Sequence, residues 1–475
     1  MSKKVKIAIV GGGVAGVSTA LWLGELGLDI TLFERENSLV SGPPFCHLHA
    51  GGNLYREISD EQCIKLLKQS IDFAKFYPFV IDYRPTVIAL PTYDKQKPSD
   101  LLDRLNLLQS KYKELIEEDK SNKILGESEN YYQLYSKEKM LELKESSSST
   151  LSSSDRWMRT LSKELDFDKV QFPLILVQEY GLNLFRLASG ATLALKKLPN
   201  VNLKLNSLVT DIKKQNDKFI IESNNTKDEF DYLINATGFR TGTIDDMLGV
   251  SCKRMVEFKS AYITHWNSAK ERNFPEVIFH GERGTPQGMG QFTPYPSGYF
   301  QLHGMTEDIT LYRDGLVSSS PTSSQPKLKE SFIEKIEKSW SKDEIEIRTN
   351  RAIKHISKFI PSFSEAKVGS KPLFGAQQIP GDDPSLRVAE VSFDAKKYAR
   401  CEIVKVSSVI DMVDAIAKDI ASFGYLNNYQ EKQNTPISKT IYTLKENEIK
   451  NLAKEIAVNR EYPSALSFKM DENNL

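Results

Sequence analysis

The chain has 475 residues, enough for two domains with substantial cores. Its 63 basic and 63 acidic residues cancel, so nothing points to a nucleic-acid or anionic-membrane partner. Four scattered cysteines (Cys46, Cys63, Cys252, Cys401) form neither a CxxC motif nor a disulfide framework, and no run of about 18 apolar residues offers a membrane span. The first strand follows too closely on Met1 for a signal peptide; a cytoplasmic protein is expected, with peripheral membrane contact left open.

The apolar run Val5 to Val10 reads as a buried parallel strand. Gly11, Gly13 and Gly16 then match G-x-G-x-x-G and open a helical pattern, and a second strand, Asp29 to Phe33, ends at Glu34. Gly11 allows a tight turn, Gly13 lets backbone approach a pyrophosphate, and Gly16 permits close helix–strand packing. The helix N-terminus favours the phosphate charge. Glu34 is expected to accept from the adenosine ribose and to repel a 2′-phosphate, which argues against NADP. Strand, glycines, helix, strand and acid in this order predict a dinucleotide fold.

The stretch "FCHLHAGGNLY", Phe45 to Tyr55, places two of the six histidines beside two glycines. If it is extended, Cys46 faces away from His47 and His49, so no metal site is expected. Asp60 to Phe76 reads as a helix and "FVIDYRPTVIALP", Phe79 to Pro91, as extended. Leu101, Leu105, Leu108, Tyr112 and Leu115 recur at helical spacing, which predicts an amphipathic helix laid on the domain within an insertion at 95–172. The serine tract 146–155 reads as a polar loop. Asn183 is placed to cap a helix reaching about Lys197. Short strands follow at 201–205, 207–212 and 219–222, and then 230–236 runs into "NATGFRTG". Further on, the pattern predicts a helix over 329–341, a strand Cys401–Val404 and a helix over 407–421, ahead of a charged helical tail.

The fingerprint, the "LINATGF" strand end and the late strand–helix segment together resemble the FAD-dependent oxidoreductases of the D-amino-acid-oxidase family, a group acting on amino acids, sarcosine, dimethylglycine and 2-hydroxy acids. The resemblance implies an α/β fold: a Rossmann-like FAD-binding domain with a parallel sheet, plus a substrate domain with a mainly antiparallel sheet and a helical insertion. Boundaries are expected at 1–78, 175–250 and 365–425 for the FAD domain, 79–174 and 251–364 for the substrate domain, and 426–475 for a helical tail. Carried over, the resemblance assigns Gly11, Gly13 and Gly16 to the pyrophosphate and Glu34 to the ribose, with Val14, Ala15 and Arg35 also counted as cofactor-binding. Val209 falls where backbone pairs with adenine, and Ala236, Thr237 and Gly238 pass along the pyrophosphate. Ser407 and Ser408 open the helix aimed at the flavin, and Ala50, Gly51 and Gly52 supply the side-chain-free surface the flavin ring requires. In the dimethylglycine dehydrogenase branch a histidine in His-Ala-Ala-Gly carries a covalent flavin bond. His49-Ala50-Gly51-Gly52 is similar, but His47-Leu48 replaces the preceding Thr-Trp, so noncovalent contact is expected and a link through His49 stays the alternative.

A single GxGxxG and no CxxxxC argue against a separate nicotinamide domain, so an organic substrate is expected to supply the electrons, with O2 or a quinone accepting them. Strand alternation puts Tyr299, Gln301 and His303 on one face of "SGYFQLHGM", either as a pocket wall with His303 as general base or as a water-facing surface. Arg240 fits an anionic substrate or a surface salt bridge, and Tyr295 a pocket lid or a turn; His265 and His280 default to structural roles. The leading reading is an enzyme oxidising a small 2-hydroxy or amino acid. The alternatives are a flavoprotein acting on a larger substrate, such as a tailoring or modified-nucleotide enzyme, and a non-catalytic binding module.

Overall fold

The computed structural model describes residues 5–42, 47–48, 58–147, 151–426, 429 and 438–470. A six-stranded sheet has the order Val391–Ala395, Tyr398–Cys401, Tyr232–Asn235, β1 (Lys6–Val10), β2 (Asp29–Phe33), Val201–Lys204, all parallel except the Val391–Ala395 edge. Strand alternation divides β1 between two cores. Ile7 and Ile9 pack under α1 (Val14–Glu25) and the helices Leu184–Lys196 and Val409–Ser422, whereas Ala8 and Val10 meet Val209, Ile212, Phe219 and Phe230 of a three-stranded antiparallel sheet on the opposite face. Asn183 caps its helix as expected, its side chain accepting from Arg186 N at 3.1 Å.

A ten-stranded, mainly antiparallel sheet forms the second layer system. Its spine is Arg254–His265, Tyr299–Gly304, Gly290–Tyr295, Glu276–Phe279 and Thr86–Ala89. Phe279, Phe292, Phe300 and Leu302 fill one face beneath the helix Lys342–Ile356 and the aromatic residues Phe359 and Phe363. Cross-strand partners share a face, so Ile278, Gln291 and His303 lie together on the opposite one.

Several expectations shift. Leu373–Pro380, expected in the cofactor segment 365–425, pairs along Arg254–His265 in the large sheet, and Leu174–Val177 joins that sheet across the expected 174/175 boundary. The late strand is Tyr398–Cys401 and the late helix starts at Val409 after a 3-10 turn Val406–Ser408. The helix expected over 329–341 ends at Glu337, and the extended segment after Phe79 contains a 3-10 turn, Pro78–Val80, before two short strands. The insertion helix, Leu102–Glu118, buries Leu105, Leu108 and Tyr112 against α2 (Asp60–Phe76).

Candidate active site

The turn after β1 is built by close approach. Gly11 has φ +105°, a region that L side chains rarely adopt, and its N–H donates to Phe33 O at 2.8 Å. A Cβ on Gly16 would lie 1.8 Å from Gly11 O, whereas one on Gly13 would meet nothing within 4 Å. Gly13 faces open space, and it begins α1 without a side-chain cap and without an acid in the first turn. Uncapped N–H groups at the mouth of a cavity are the donor set a pyrophosphate needs. Ala236 N donates to Val10 O, and Gly238, at φ +61°, also opens on empty space, so a second stretch of bare backbone borders the same volume.

That volume is a cavity of about 1230 Å³. It exceeds the roughly 300–1,000 Å³ typical of one small ligand, which leaves room for a cofactor and a substrate together. It is lined by Gly13, Val14, Ala15, Ala236 and Gly238, by Lys405 and Val406 just ahead of the helix Val409–Ser422, and by His47, Gln291 and His303. Among the described residues its wall carries six basic side chains (Lys95, Lys259, Arg283, Lys358, Arg387, Lys405) and three acidic ones (Asp94, Glu257, Glu282). On a chain of equal charges, this excess of cations favours an anionic occupant. Glu257 pairs with Lys259 at 2.7 Å and with Arg283. Burial lowers the Lys259 pKa, with Glu257 opposing.

Other expected site residues land unevenly. Glu34 is buried and its carboxylate accepts from Gly12 N at 2.6 Å and Glu36 N at 2.8 Å, so it braces the glycine turn while keeping lone pairs for a further donor. Burial raises its pKa and the two backbone donors pull it back. Arg35 and Arg240 both reach Glu337; the resulting ion pairs lie away from the cavity lining. Val209 is buried opposite Ser223 in the three-stranded sheet. Thr237 Oγ1 donates to Asn235 Oδ1. Ser408 donates to Gln69, and Ser407 Oγ, in the turn ahead of the late helix, is buried without a hydrogen-bond partner among the described residues. His49, Ala50, Gly51 and Gly52 lie outside the described residues.

Of the three side chains expected on one pocket face, only His303 reaches the cavity. The strand begins at Tyr299 beside the turn Pro296–Gly298, and four residues of strand, roughly 13 Å, separate it from His303. Tyr299 packs on His265 with ring centroids 4.7 Å apart, and Gln301 accepts from the Tyr295 hydroxyl at 3.2 Å. His303 departs from expectation in its chemistry as well. Burial pushes its pKa down to about 4, although Glu276 pulls the other way, so the ring is neutral and weakly basic instead of titrating near pH 7.

The sequence reading missed a buried cluster against the same wall. His47 Nδ1 lies 2.7 Å from Glu276 Oε1, and Glu276 Oε2 is 2.8 Å from Arg84 Nη2. Gln291 Nε2 donates to Glu276 Oε1 at 2.6 Å, and Arg84 also donates to Pro294 O at 2.9 Å. The available signal was a charge inside each of two apolar runs, Arg84 in "VIDYRPTVIAL" and Glu276 before "VIF".

The profile of the FAD dependent oxidoreductase family (DAO) matches residues 6–381, and the chain belongs to that family. It is accordingly an FAD-dependent oxidoreductase, with the mixed α/β architecture of that group. Similar solved structures include L-amino acid deaminase from Proteus vulgaris (TM-score 0.59, 12% identity, covering 94% of this chain and 98% of that one). Glycine oxidase from Geobacillus kaustophilus is also similar (TM-score 0.56, 12% identity, 90% and 97%). So is L-alpha-glycerophosphate oxidase from Mycoplasma pneumoniae with FAD bound (0.55, 16%, 91% and 97%). A short sequence match, 44% identical over 43 residues, links the chain to cinnamate reductase of Clostridium sporogenes, spanning 9% of this chain and 6% of that protein. Among the described residues no helix is long and apolar enough to cross a membrane.

Proposed function

We propose that the protein binds FAD noncovalently and oxidises a small 2-hydroxy or amino acid in the cytoplasm, with O2 or a quinone taking the electrons afterwards. The observation that carries this reading is the continuous cavity, which joins uncapped backbone donors at Gly13–Ala15 to a cation-rich polar wall. Gly11, Gly13, Val14, Ala15 and Gly16, with Ala236, Thr237 and Gly238, hold the pyrophosphate; Glu34 and Arg35 serve the ribose side and the Val209 backbone the adenine. Ser407 and Ser408 form the turn into the helix that favours negative charge on the ring, and the family resemblance assigns His49, Ala50, Gly51 and Gly52 to flavin contact. When bound, FAD supplies the hydride acceptor. The protein's part is placement: cations such as Lys259 and Arg387 orient the substrate carboxylate, and neutral His303 donates or accepts a hydrogen bond without adding charge. We assign 1–78, 178–250 and 381–425 to the FAD domain and 79–177 with 251–380 to the substrate domain, because the strands Leu174–Val177 and Leu373–Pro380 pair in the large sheet; 426–475 is the tail.

The test is an anaerobic screen of small 2-hydroxy acids and amino acids against the yellow protein, following loss of flavin absorbance. One small acid is expected to bleach it. A protein that no small acid bleaches does not have this function. Acid precipitation should release FAD to the supernatant, and flavin retained in the pellet would establish the covalent alternative.

A further inference from the structure

After the short strand Leu316–Ser318 the chain leaves the large sheet and docks beside the six-stranded one. Ser323 Oγ and Ser324 N both donate to the Asp246 carboxylate at 2.6 Å. Gln325 accepts from Thr243 N and donates to Phe239 O, both at 3.0 Å, and Gly242 leaves no room for a side chain against Ser324 O. These contacts hold the segment on the turn Gly238–Arg240 and the helix Thr241–Leu248, which follow the strand Tyr232–Asn235. The helix Glu330–Glu337 comes next, anchored by Phe332, whose ring stacks on Phe258 of the large sheet at 4.8 Å. Its last residue, Glu337, meets Arg35 Nη1 at 3.1 Å and also pairs with Arg240. Those two arginines stand on opposite sides of the glycine turn. Arg35 follows β2 and Arg240 follows the strand Tyr232–Asn235, and β1 lies between these strands. Two strand spacings, about 10 Å, separate the flanking strands, so a carboxylate that holds both guanidiniums spans the turn Gly11–Gly16. Arg35 also pairs with Glu36 at 3.1 Å. Burial and the neighbouring Arg35 lower the Arg240 pKa, and Glu337 opposes them.

We propose that the segment Ser323–Glu337 forms the outer wall of the adenosine half of the FAD site, and that the Arg35–Glu337–Arg240 bridge must open before the cofactor can leave. The inference rests on the noncovalent reading above. With the pyrophosphate at the glycine turn and the ribose at Glu34, the adenosine half lies beneath the bridge. Glu337 is a positioning residue: it touches the two arginines and holds them across the groove. The three side chains are 29%, 33% and 39% exposed, so dissolved salt reaches them and each pair is weak alone. Opening the groove breaks both pairs at once, which is where the bridge acts on the rate of release.

The experiment follows release of FAD from the saturated protein as the rise of flavin fluorescence after dilution. It is run at low salt and in about 1 M sodium chloride, where charges are screened beyond about 3 Å. Glu337→Gln should release FAD about tenfold faster than the unaltered protein at low salt, the scale of two partly exposed ion pairs, with the flavin spectrum unchanged. High salt should quicken release from the unaltered protein by about the same factor, and from Glu337→Gln far less. Glu334 pairs with Lys338 on the same helix and gives the control: Glu334→Gln should match the unaltered protein. Release from Glu337→Gln at the unaltered rate, an equal salt dependence in the two proteins, or the same quickening in Glu334→Gln overturns the bridge and leaves noncovalent binding standing. So does a cofactor-free thermal midpoint lowered by more than about 4 °C in Glu337→Gln, which would make the pairs a general support of the fold. Flavin that stays with the acid-precipitated pellet overturns both readings. If Glu337→Gln does not fold, the salt series on the unaltered protein decides, and release that salt does not quicken overturns the proposal.

Discussion

Gly13 and Gly16 stand three positions apart and answer an added side chain in opposite ways. A Cβ at Gly13 enters open space at φ −67°, so Gly13→Val should fold with the thermal midpoint of the unaltered apoprotein while failing to bind FAD, because its isopropyl group occupies the volume of the pyrophosphate. A Cβ at Gly16 would sit 1.8 Å from the Gly11 carbonyl, which cannot retreat without moving Phe33. Gly16→Ala should therefore cost about 2–3 kcal/mol of folding stability, the range of an overpacked core. Flavin absorbance per chain and urea unfolding separate the two, and a Gly16→Ala protein of normal stability would contradict the packing. His49 follows the same logic: His49→Ala should change flavin retention or spectrum, and His265→Ala, at a ring packed on Tyr299, should change neither. The glycine roles were legible because all of them lie within one turn of chain. The cluster at Glu276 was not, since Gln291 and His47 meet across 244 positions and nothing local announces either.

The C-terminal helix Glu446–Asn459 buries Ile449, Ala453, Ile456 and Ala457 against the helix Leu184–Lys196, and Arg460 just beyond it reaches the segment behind the glycine turn. Its guanidinium donates to Leu39 O at 2.6 Å, Val40 O at 2.9 Å and Ser38 Oγ at 3.0 Å, and Val40 N in turn donates to Gly12 O. The tail thus holds the glycine turn from behind. Arg460→Ala should weaken FAD binding by about tenfold, the loss of roughly one charged hydrogen bond, with reduction by substrate unchanged once FAD is saturating; equilibrium titration of apoprotein with FAD measures it. The local pattern announced this helix, but no pattern in the tail could show what it packs against. Other elements were missed for identifiable reasons. Tyr132–Tyr135 is a half-exposed edge strand paired, among the described residues, with Leu174–Val177 alone, so its sequence lacks clean alternation. The late strand begins at Tyr398 because Arg400, a charge unsuited to an apolar core, is buried by ion pairs to Asp245 at 2.8 Å and Glu402 at 2.6 Å.

Across the whole molecule the large sheet carries a buried histidine with a depressed pKa against each face. His303 lines the cavity on one side, while His355, on the helix Lys342–Ile356, packs over Gly290 on the other and bonds to Gly288 O at 3.0 Å. Burial is the main cause in both cases and pushes each to about 4 from an ordinary 6.5. A folded-state pKa below the unfolded one means that the unfolded chain takes the proton first as pH falls. The stabilisation is therefore complete above about pH 6.5 and is lost progressively towards pH 4. Each shift corresponds to about 3 kcal/mol at most. Glu276, depressed from 4.5 to about 2, follows the same sign in a lower window: its stabilisation is complete above about pH 4.5 and is lost only below it. Urea midpoints measured with FAD saturating should fall between pH 6.5 and 4.5, before any carboxylate in this cluster titrates. His355→Gln, which keeps a donor for Gly288 O but cannot charge, should flatten that fall by roughly half. Stability that stays level from pH 6.5 to 4.5 would mean that both rings are protonated in the native sheet, and a neutral His303 at the cavity wall would then have to be abandoned.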